Sequence, residues 1–374
     1  MMKKKILFIT ATRAEFGKLK SIISTVKKSK KFEVFIAVTG MHLLKEYGST
    51  YSEVIKIFGK KIIKFSNQSS ENDLNEILVN TISKLSKIVK KIKPDLIVYH
   101  GDRVETLASA IVGSLNHILT AHIEGGELSG TIDDTIRHAV TKLSHLHFVG
   151  NKKAYARVIA MGENNDKVFI IGSPDLDILF RNKVSISSTK KRYGIRFRDY
   201  SILIWHPVTS EIPTLKSSTS HLLNFVKKSK ENFVIIYPNN DPGSKFILNI
   251  YKKNLNNKKI KFLRSIRFEN FISLLKHAKF IIGNSSAAIY EAPPLKTPSI
   301  NIGTRQNNRI KSKSILNLDI SSLSMKRINS FCKKFKPTKY HHYGIGDSSS
   351  KFLKILKQKS FWKTSKQKYY YEKK

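Results

Sequence analysis

Two alternating residue patterns constrain the fold of this chain more than any other feature of its sequence. Short apolar runs rich in β-branched residues alternate with longer segments in which apolar residues recur at helical spacing. Such runs are typical of parallel strands that helices cover on both faces. The alternation extends over most of the 374 residues, so it predicts an α/β protein built from doubly wound parallel sheets.

The alternation falls into two blocks, separated by a charged and serine-rich segment, Phe180–Tyr200, that we interpret as a linker. The strand-like runs of the first block are Lys5–Thr10, Glu33–Thr39, Ile62–Phe65, Leu96–His100, Ile118–Ile123, His147–Val149 and Val168–Ile171. Those of the second are Ile202–Trp205, Phe233–Tyr237, Ile260–Leu263, Phe280–Ile282 and Ser299–Ile302. Helical spacing is clearest in Leu74–Ile92, Val104–Leu115, Thr135–Leu143 and Phe268–Lys276. We therefore predict two Rossmann-like domains, over residues 1–179 and 180–350.

The last segment, residues 351–374, has a different character. Apolar residues at near-helical spacing come first, and lysines become dense beyond them; the apolar residues are Phe352, Leu353, Ile355, Leu356, Phe361 and Trp362. We predict a C-terminal helix that packs on the rest of the protein and a basic tail that frays from Lys366 to Lys374.

Cysteine content, apolar run length and charge exclude several classes of protein. The single cysteine, Cys332, allows no disulfide within the chain and no multi-cysteine metal site, as in a cytoplasmic protein. The apolar runs are far shorter than the roughly 18 residues of a membrane span. The net charge of +41 comes largely from lysines spread over every segment, and no helix-turn-helix, zinc finger or aromatic-rich RNA motif accompanies them. We expect a cytoplasmic protein with neither a membrane nor a nucleic-acid partner.

Polar residues follow nearly every predicted strand, which is where doubly wound folds bind ligands. The groups are Thr10-Ala11-Thr12-Arg13, His100-Gly101-Asp102-Arg103, His122-Ile123-Glu124-Gly125-Gly126-Glu127, His206-Pro207-Val208-Thr209 and Gly283-Asn284-Ser285-Ser286. Each alone fits an ordinary turn or helix cap, but the set predicts a polyanionic ligand. The Ser285-Ser286 turn is the candidate diphosphate site, and Arg13, Arg103 and Arg305 can add paired donors to phosphate.

Carboxylates in the same places are candidates for acid–base chemistry. They are Asp102, Glu124 and Glu127 at strand ends and Asp133 and Asp134 in a loop, in a chain with only 27 acidic residues. His122-x-Glu124 matches half of a zinc-deaminase signature, but the paired cysteines of that signature are missing, so we expect no catalytic metal. Neither GxGxxG nor GxxxxGK[ST] occurs, so we expect neither a nicotinamide cofactor nor ATP.

Taken together, these motifs resemble those of the hydrolysing UDP-N-acetylglucosamine 2-epimerases of sialic acid biosynthesis. Further matching segments are Gly40-Met41-His42-Leu43, Gly130-Thr131-Ile132-Asp133-Asp134-x-Ile136-Arg137-His138 and Gly303-Thr304-Arg305-Gln306. The resemblance implies a GT-B-like fold in which two Rossmann-like domains face a central cleft. It also implies a C-terminal helix that crosses back onto the first domain, a homodimer and no cofactor.

The same resemblance implies roles for individual residues. The catalytic groups fall on Asp102, Glu124, Asp133 and His206, and the sugar lies beside His42 and His122. The nucleotide contacts fall on Arg13, Arg103, Ser285, Ser286, Glu291 and Arg305, with Glu291 on the ribose hydroxyls. The implied reaction eliminates UDP from UDP-N-acetylglucosamine and hydrates the resulting glycal to free N-acetylmannosamine.

Three alternatives stay open at the level of the sequence. The first is the related epimerase that acts on UDP-2,4-diacetamido-trideoxyhexoses in the legionaminic acid route. The second is a GT-B glycosyltransferase, which would need an acceptor. The third, from another class, is a basic nucleic-acid-binding protein, which salt-dependent DNA binding without turnover of a UDP-sugar would favour.

Overall fold

The computed structural model describes residues 3–59, 61–69, 73–129, 131–307, 312–337, 343–369 and 371. The chain forms two compact units. Unit 1 comprises Met1–Glu127, Asp133–Arg181 and His341–Lys374, and unit 2 comprises Leu128–Ile132 and Asn182–Tyr340. The end of the chain therefore belongs to the same unit as its beginning. The limits that we predict for the domains, at residues 179 and 350, stay predictions.

Unit 1 is built on a parallel sheet of seven strands. The strands are β1 (Lys4–Thr10), β2 (Phe32–Val38), β3 (Ile62–Lys64), β4 (Leu96–His100), β5 (Leu119–Ile123), β6 (Leu146–Val149) and β7 (Val168–Ile170). Their order across the sheet is β3-β2-β1-β4-β5-β6-β7, and every pairing is parallel. The order reverses between β1 and β4, so the loops after these two strands diverge and leave a crevice for a ligand.

Helices cover both faces of this sheet. They are α1 (Arg13–Lys28), α2 (Tyr51–Phe58), α3 (Leu74–Ile92), α4 (Val104–Leu115), α5 (Ile132–Leu143), α6 (Lys152–Ala160) and α7 (Pro174–Arg181). Side chains fix several of their first residues: Thr12 accepts a hydrogen bond from the Glu15 amide at the start of α1, and Asp73 accepts one from the Glu76 amide at the start of α3. The start of α1 is thereby held directly after β1.

Unit 2 repeats the architecture with six strands. They are β8 (Ser201–Ile204), β9 (Phe233–Ile236), β10 (Ile260–Leu263), β11 (Ile281–Gly283), β12 (Ser299–Ile302) and β13 (Ile315–Leu318), in the parallel order β10-β9-β8-β11-β12-β13. The helices are α8 (Ile186–Tyr193), α9 (Ile212–Lys228), α10 (Ser244–Lys252), α11 (Phe268–Lys276), α12 (Ala287–Tyr290) and α13 (Met325–Lys334). Here the order reverses between β8 and β11. The predicted fold class, two Rossmann-like parallel α/β domains, is confirmed.

Two elements differ from the sequence prediction. The predicted linker contains α8, in which only Thr189 is buried, so it lacks the apolar stripe by which we recognise helices. The last strand, β13, is absent from the predicted set. It pairs with one neighbour, β12, and its two central residues are not buried, so its sequence lacks a continuous apolar run.

The C-terminal segment folds as α14 (Ser348–Leu356) and α15 (Lys359–Trp362). Asp177 accepts hydrogen bonds from the amides of Ser348 and Ser349, both at 2.8 Å, which begins α14 against α7. The Phe352 ring then packs on Phe148 of β6 with 4.5 Å between ring centroids. The prediction that this helix returns to the first domain is confirmed. No helix in the described part of the chain is long and apolar enough to span a membrane.

Candidate functional site

The order reversal in unit 1 brings three predicted residues to one edge of the sheet. Arg13 opens α1 directly after β1, and its Nε lies 3.1 Å from a Glu53 carboxylate oxygen. Asp102 and Arg103 follow β4 through Gly101, whose φ of +78° is the left-handed conformation that this tight turn requires. Arg103 pairs through Nε with the buried Glu105 at 3.2 Å. Both arginines are thus fixed at this edge by buried carboxylates.

A buried arginine holds Asp102. Arg137 of α5 is fully buried, and its Nη2 donates to Asp102 while its Nη1 donates to Asp134 at 2.6 Å. Nη1 also donates to the carbonyl of Glu127 at 2.9 Å. Charge-assisted bonds from one rigid guanidinium fix both carboxylates in place. The Asp102 side chain remains 25% exposed, so a ligand can still approach its exposed side.

Glu124 sits in a second cluster of charges at the end of β5. Its backbone has φ of +73°, which is unfavourable for a residue with a Cβ and is typical of functional positions. Its carboxylate lies 2.8 Å from His100 Nε2 and 3.5 Å from Lys18 Nζ. Lys18 also pairs with Asp175 at 3.1 Å, and Asp175 is almost fully buried. Glu124 therefore lies between the imidazole of His100 and the ammonium group of Lys18.

The prediction of a loop at Asp133 and Asp134 is wrong, because α5 begins at Ile132 and both residues lie in its first turn. A negative charge there interacts favourably with the helix N-terminus. Asp133 is half-buried. One turn further along the helix, Ile136 packs against the apolar core of unit 1 and so holds this part of α5 on the sheet. The neighbouring Asp134 is the residue that pairs with Arg137. Gly130, which begins the same motif, lies outside the described residues.

His42 and His122 are both fully buried, and polar atoms lie near both ring nitrogens of each. His42 contacts the hydroxyls of Thr10 and Thr50 at 3.1 and 2.6 Å. His122 donates from Nε2 to the Gly101 carbonyl at 2.8 Å, and its Nδ1 lies 3.3 Å from the Thr141 hydroxyl. Burial lowers the pKa of each ring to about 3, so both are neutral at pH 7. Both rings thus support the strand ends from inside the protein, and their contact with a sugar stays a prediction.

In unit 2 a side-chain network joins the ends of three strands. The His206 amide donates to Asn284 Oδ1 at 2.7 Å, and Asn284 Nδ2 returns a bond to the His206 carbonyl at 2.8 Å. The Asn239 amide donates to His206 Nδ1 at 3.1 Å. Because Nδ1 accepts, the ring proton resides on Nε2 and makes that atom a donor.

The Ser285-Ser286 turn begins α12, which is only one turn long. The N-cap residue, Ser286, makes no side-chain capping bond, and the preceding Ser285 accepts from the Ala287 amide at 3.3 Å in a serine turn. Prolines 293 and 294 prevent the helix from continuing beyond the buried Glu291. One turn contributes few aligned peptide dipoles, so the helix-dipole part of our diphosphate prediction is weakened. Arg305 lies close by, with its Nη1 donating to the Asn284 carbonyl at 3.4 Å.

Four residues of this site receive no role from sequence reasoning: Lys18, His100, Arg137 and Asp175. Arg137 lies three residues after Asp134 at the start of an amphipathic helix, which is a signal for an ion pair. Asp175 follows the last strand of the first block, so the strand-end argument applies to it as well. Lys18 gives no signal among so many lysines.

In the described part of the chain no group of three potential ligands is placed to hold a metal ion.

Comparison with known proteins agrees with this architecture. The sequence model described as UDP-N-acetylglucosamine 2-epimerase matches residues 24–357. The chain belongs to this family. Within it, the chain is 42% identical to a UDP-N-acetylglucosamine 2-epimerase from Neisseria meningitidis serogroup B, over 98% of each chain.

One further relative in sequence and one solved structure are similar to this chain. It is 34% identical to a GDP/UDP-N,N'-diacetylbacillosamine 2-epimerase (hydrolyzing) from Campylobacter jejuni, over 90% of each chain. Its fold matches the crystal structure of a Methanocaldococcus jannaschii UDP-GlcNAc 2-epimerase in complex with UDP-GlcNAc and UDP. That match has a TM-score of 0.81 at 22% identity and covers 94% of this chain and 99% of the other.

Proposed function

We propose that this chain is a hydrolysing UDP-N-acetylglucosamine 2-epimerase, which forms free N-acetylmannosamine and UDP. The observation that carries the proposal is the 42% identity to the Neisseria epimerase over nearly the whole chain. The carboxylates at the strand ends of unit 1 support it, because epimerisation at C2 requires positioned groups that move a proton.

The C2 hydrogen of an N-acetylhexosamine is too weakly acidic for direct removal, so departure of UDP must drive the step. As the C1–O bond breaks, positive charge develops at C1, and a carboxylate takes the C2 proton to form a glycal. Water then adds its oxygen to C1, and a proton returns to C2 on the opposite face. UDP carries away the electron pair of the C1–O bond, so the steps balance as an elimination followed by a hydration.

The charges around the two strand-end carboxylates favour different roles for Asp102 and Glu124. Asp102 is paired with the buried guanidinium of Arg137, which fixes its carboxylate, and we propose that this carboxylate stabilises the positive charge at C1. Glu124, which lies 2.8 Å from His100 Nε2, is the proposed acceptor of the C2 proton. Asp133 is the remaining candidate for returning a proton to C2.

The residues of unit 2 are proposed to bind the nucleotide. A neutral His206 with its proton on Nε2 can donate to a departing phosphate oxygen. The hydroxyls of Ser285 and Ser286 and the guanidinium of Arg305 supply further donors to the diphosphate. Arg13 and Arg103 are proposed nucleotide contacts on unit 1, and Glu291 remains the proposed contact of the ribose hydroxyls.

One alternative substrate is favoured by a specific observation. The 34% identical Campylobacter relative is named for N,N'-diacetylbacillosamine, so UDP-2,4-diacetamido-trideoxyhexose is the second candidate. The higher identity to the Neisseria enzyme favours UDP-N-acetylglucosamine. A role in sialic acid biosynthesis, a cytoplasmic location and a homodimer belong to the same proposal, and a polysialic acid biosynthesis protein of Escherichia coli at 30% identity supports the pathway.

A direct assay tests this proposal. Purified protein is incubated with each of the two UDP-sugars, and released UDP and free sugar are quantified. We expect UDP-N-acetylglucosamine to give equal amounts of UDP and N-acetylmannosamine, with kcat/KM at least tenfold above that for the diacetamido sugar. A higher kcat/KM for the diacetamido sugar would identify that sugar as the substrate. Release of free sugar from neither compound would refute both proposed substrates.

A further inference from the structure

A lysine near the end of the chain caps the helix that carries part of the proposed active site. We name residues 366–369 the C-terminal strap. Lys368 Nζ donates to the carbonyls of Thr141, Lys142 and Ser144 at 3.0, 2.8 and 2.6 Å. These carbonyls lie at the C-terminal end of α5, where the last carbonyls lack the usual amide partner four residues further on; that of Thr141 also accepts from the Ser144 amide at 3.2 Å. A cation at this position satisfies them and interacts favourably with the helix dipole.

A buried carboxylate holds the lysine in place. Lys368 pairs with Glu163 at 2.6 Å, and Glu163 is 3% exposed. Burial alone would raise the pKa of Glu163, but the bond from His147 and the charges of Lys368 and Lys142 hold it at about 2. Glu163 is therefore ionised at neutral pH. The strap is also tied through its main chain, because His145 Nε2 lies 2.9 Å from the Lys366 carbonyl. The predicted fraying from Lys366 onward is therefore wrong for Lys366 and Lys368.

The opposite end of α5 reaches the proposed catalytic carboxylates. Thr141, whose carbonyl binds Lys368, donates from its hydroxyl to the Arg137 carbonyl at 3.0 Å. Arg137 in turn pairs with Asp102 and Asp134. Since an α-helix behaves as a rigid rod, an axial shift at its last turn moves Arg137 by a similar distance. The contacts of the strap and the guanidinium that holds Asp102 therefore lie on the same helix, joined by the bond from Thr141 to Arg137.

We propose that Lys368 is a positioning residue of the epimerase reaction, which acts through α5 and Arg137 on Asp102. The inference rests on the proposed function for its kinetic consequence but not for its structural one. A cap that merely stabilises the fold would change the fraction of folded protein and leave the turnover of each folded molecule unaltered. A positioning residue changes kcat in protein that remains folded.

The experiment compares Lys368→Met with Lys368→Arg and with a matched control. Methionine keeps the apolar stem and removes the donors, whereas arginine keeps the charge. Lys366→Met is the control, because the Lys366 side chain is exposed and the bond to His145 uses its main-chain carbonyl. kcat and KM for UDP-N-acetylglucosamine are measured well below the melting temperature of each variant. Hydrogen exchange is followed in peptides from residues 133–140 and 141–147.

We expect Lys368→Met to lose on the order of tenfold in kcat, with KM within about twofold, because small displacements of a catalytic group are costly. Lys368→Arg should recover most of this loss, and Lys366→Met should match the unaltered protein. Exchange should accelerate in both peptides of Lys368→Met. Unchanged kcat, or faster exchange confined to residues 141–147, would overturn the proposal. If the methionine variant is insoluble, a chain ending at residue 365 serves in its place.

The exchange measurement separates the two proposals, since it needs no substrate. Faster exchange in both peptides of Lys368→Met, in a protein that releases no UDP from either sugar, would refute the proposed function and leave the mechanical link intact. Normal turnover by the unaltered chain and by Lys368→Met would refute the positioning role alone.

Discussion

Replacement of Arg137 by methionine tests the charge pairing on which the assignment of Asp102 depends. The change removes a fully buried guanidinium that bonds to Asp102, to Asp134 and to the Glu127 carbonyl. Breaking a buried ion pair from one side costs about 3–5 kcal/mol. The two carboxylates are 25% and 24% exposed, so water recovers part of their solvation, and we place the loss near the lower end, at about 3 kcal/mol.

For a unit of this size, such a loss corresponds to a Tm lower by about 6–12 °C. Turnover should fall further than stability suggests, by about 10²-fold or more in kcat, because Asp102 loses its fixed position. The assay pairs differential scanning calorimetry with steady-state release of UDP below the lowered Tm. Arg157→Met is the matched control, since Arg157 is half-buried and donates to a carbonyl, that of Gly126, at 3.0 Å.

A double-variant cycle gives the refuting result. If Arg137 acts on catalysis through Asp102, Arg137→Met should cost much less kcat in an Asp102→Asn background than alone, with a coupling of at least about 1 kcal/mol. Independent effects that simply multiply in the double variant would show that the two residues do not act as a unit.

Three further predictions address the carboxylates, the nucleotide and a buried acid. Amide replacement of Asp102, Glu124 or Asp133 should leave the fold intact and lower kcat by about 10²-fold or more; near-normal turnover in all three would remove their assignment. UDP at about 100 times the Kd of the unaltered protein should stabilise that protein by about 2.7 kcal/mol. The same UDP concentration should stabilise Ser286→Ala and Arg305→Ala less, and Lys366→Met equally. Burial raises the pKa of Glu15 from 4.5 to about 7. Between these pH values the unfolded chain releases a proton that the folded state keeps, so the free energy of unfolding falls as the pH rises. Glu15→Gln should therefore gain Tm relative to the unaltered protein at pH 8 but not at pH 4.5, and an equal difference at both pH values would contradict this.

The parts of the fold that follow from local sequence are predictable. Leu74–Ile92 and Phe268–Lys276 have strong helical periodicity, and the structure gives both helices the same bounds. Buried parallel strands such as Leu96–His100 are continuous apolar runs, and the observed limits of that strand equal the predicted ones. By contrast, β13 depends on pairing with β12 at a sheet edge, which is a tertiary effect that its own sequence does not encode.

The candidate site likewise contains residues that can be predicted from the sequence and residues that cannot. Asp102 and Glu124 can be found because polar residues after strands lie at the carboxyl edge of a parallel sheet. The side-chain directions of His42 and His122 cannot, because a strand-end histidine can point toward the ligand or into the core. Partners distant in sequence, such as Lys18 for Glu124 and Lys368 for the end of α5, require the folded chain to be recognised.

The fate of the C2 hydrogen distinguishes elimination of UDP from simple hydrolysis of the sugar nucleotide. The turnover of UDP-N-acetylglucosamine is run in D₂O, and the free sugar is analysed by proton NMR and mass spectrometry. Elimination followed by hydration removes the original C2 hydrogen and returns one from solvent, so we expect N-acetylmannosamine that carries deuterium at C2. In ¹⁸O-water we expect the label on the anomeric oxygen of the sugar and none in UDP. Free N-acetylmannosamine that keeps its C2 hydrogen, or N-acetylglucosamine as the sole released sugar, would contradict this mechanism.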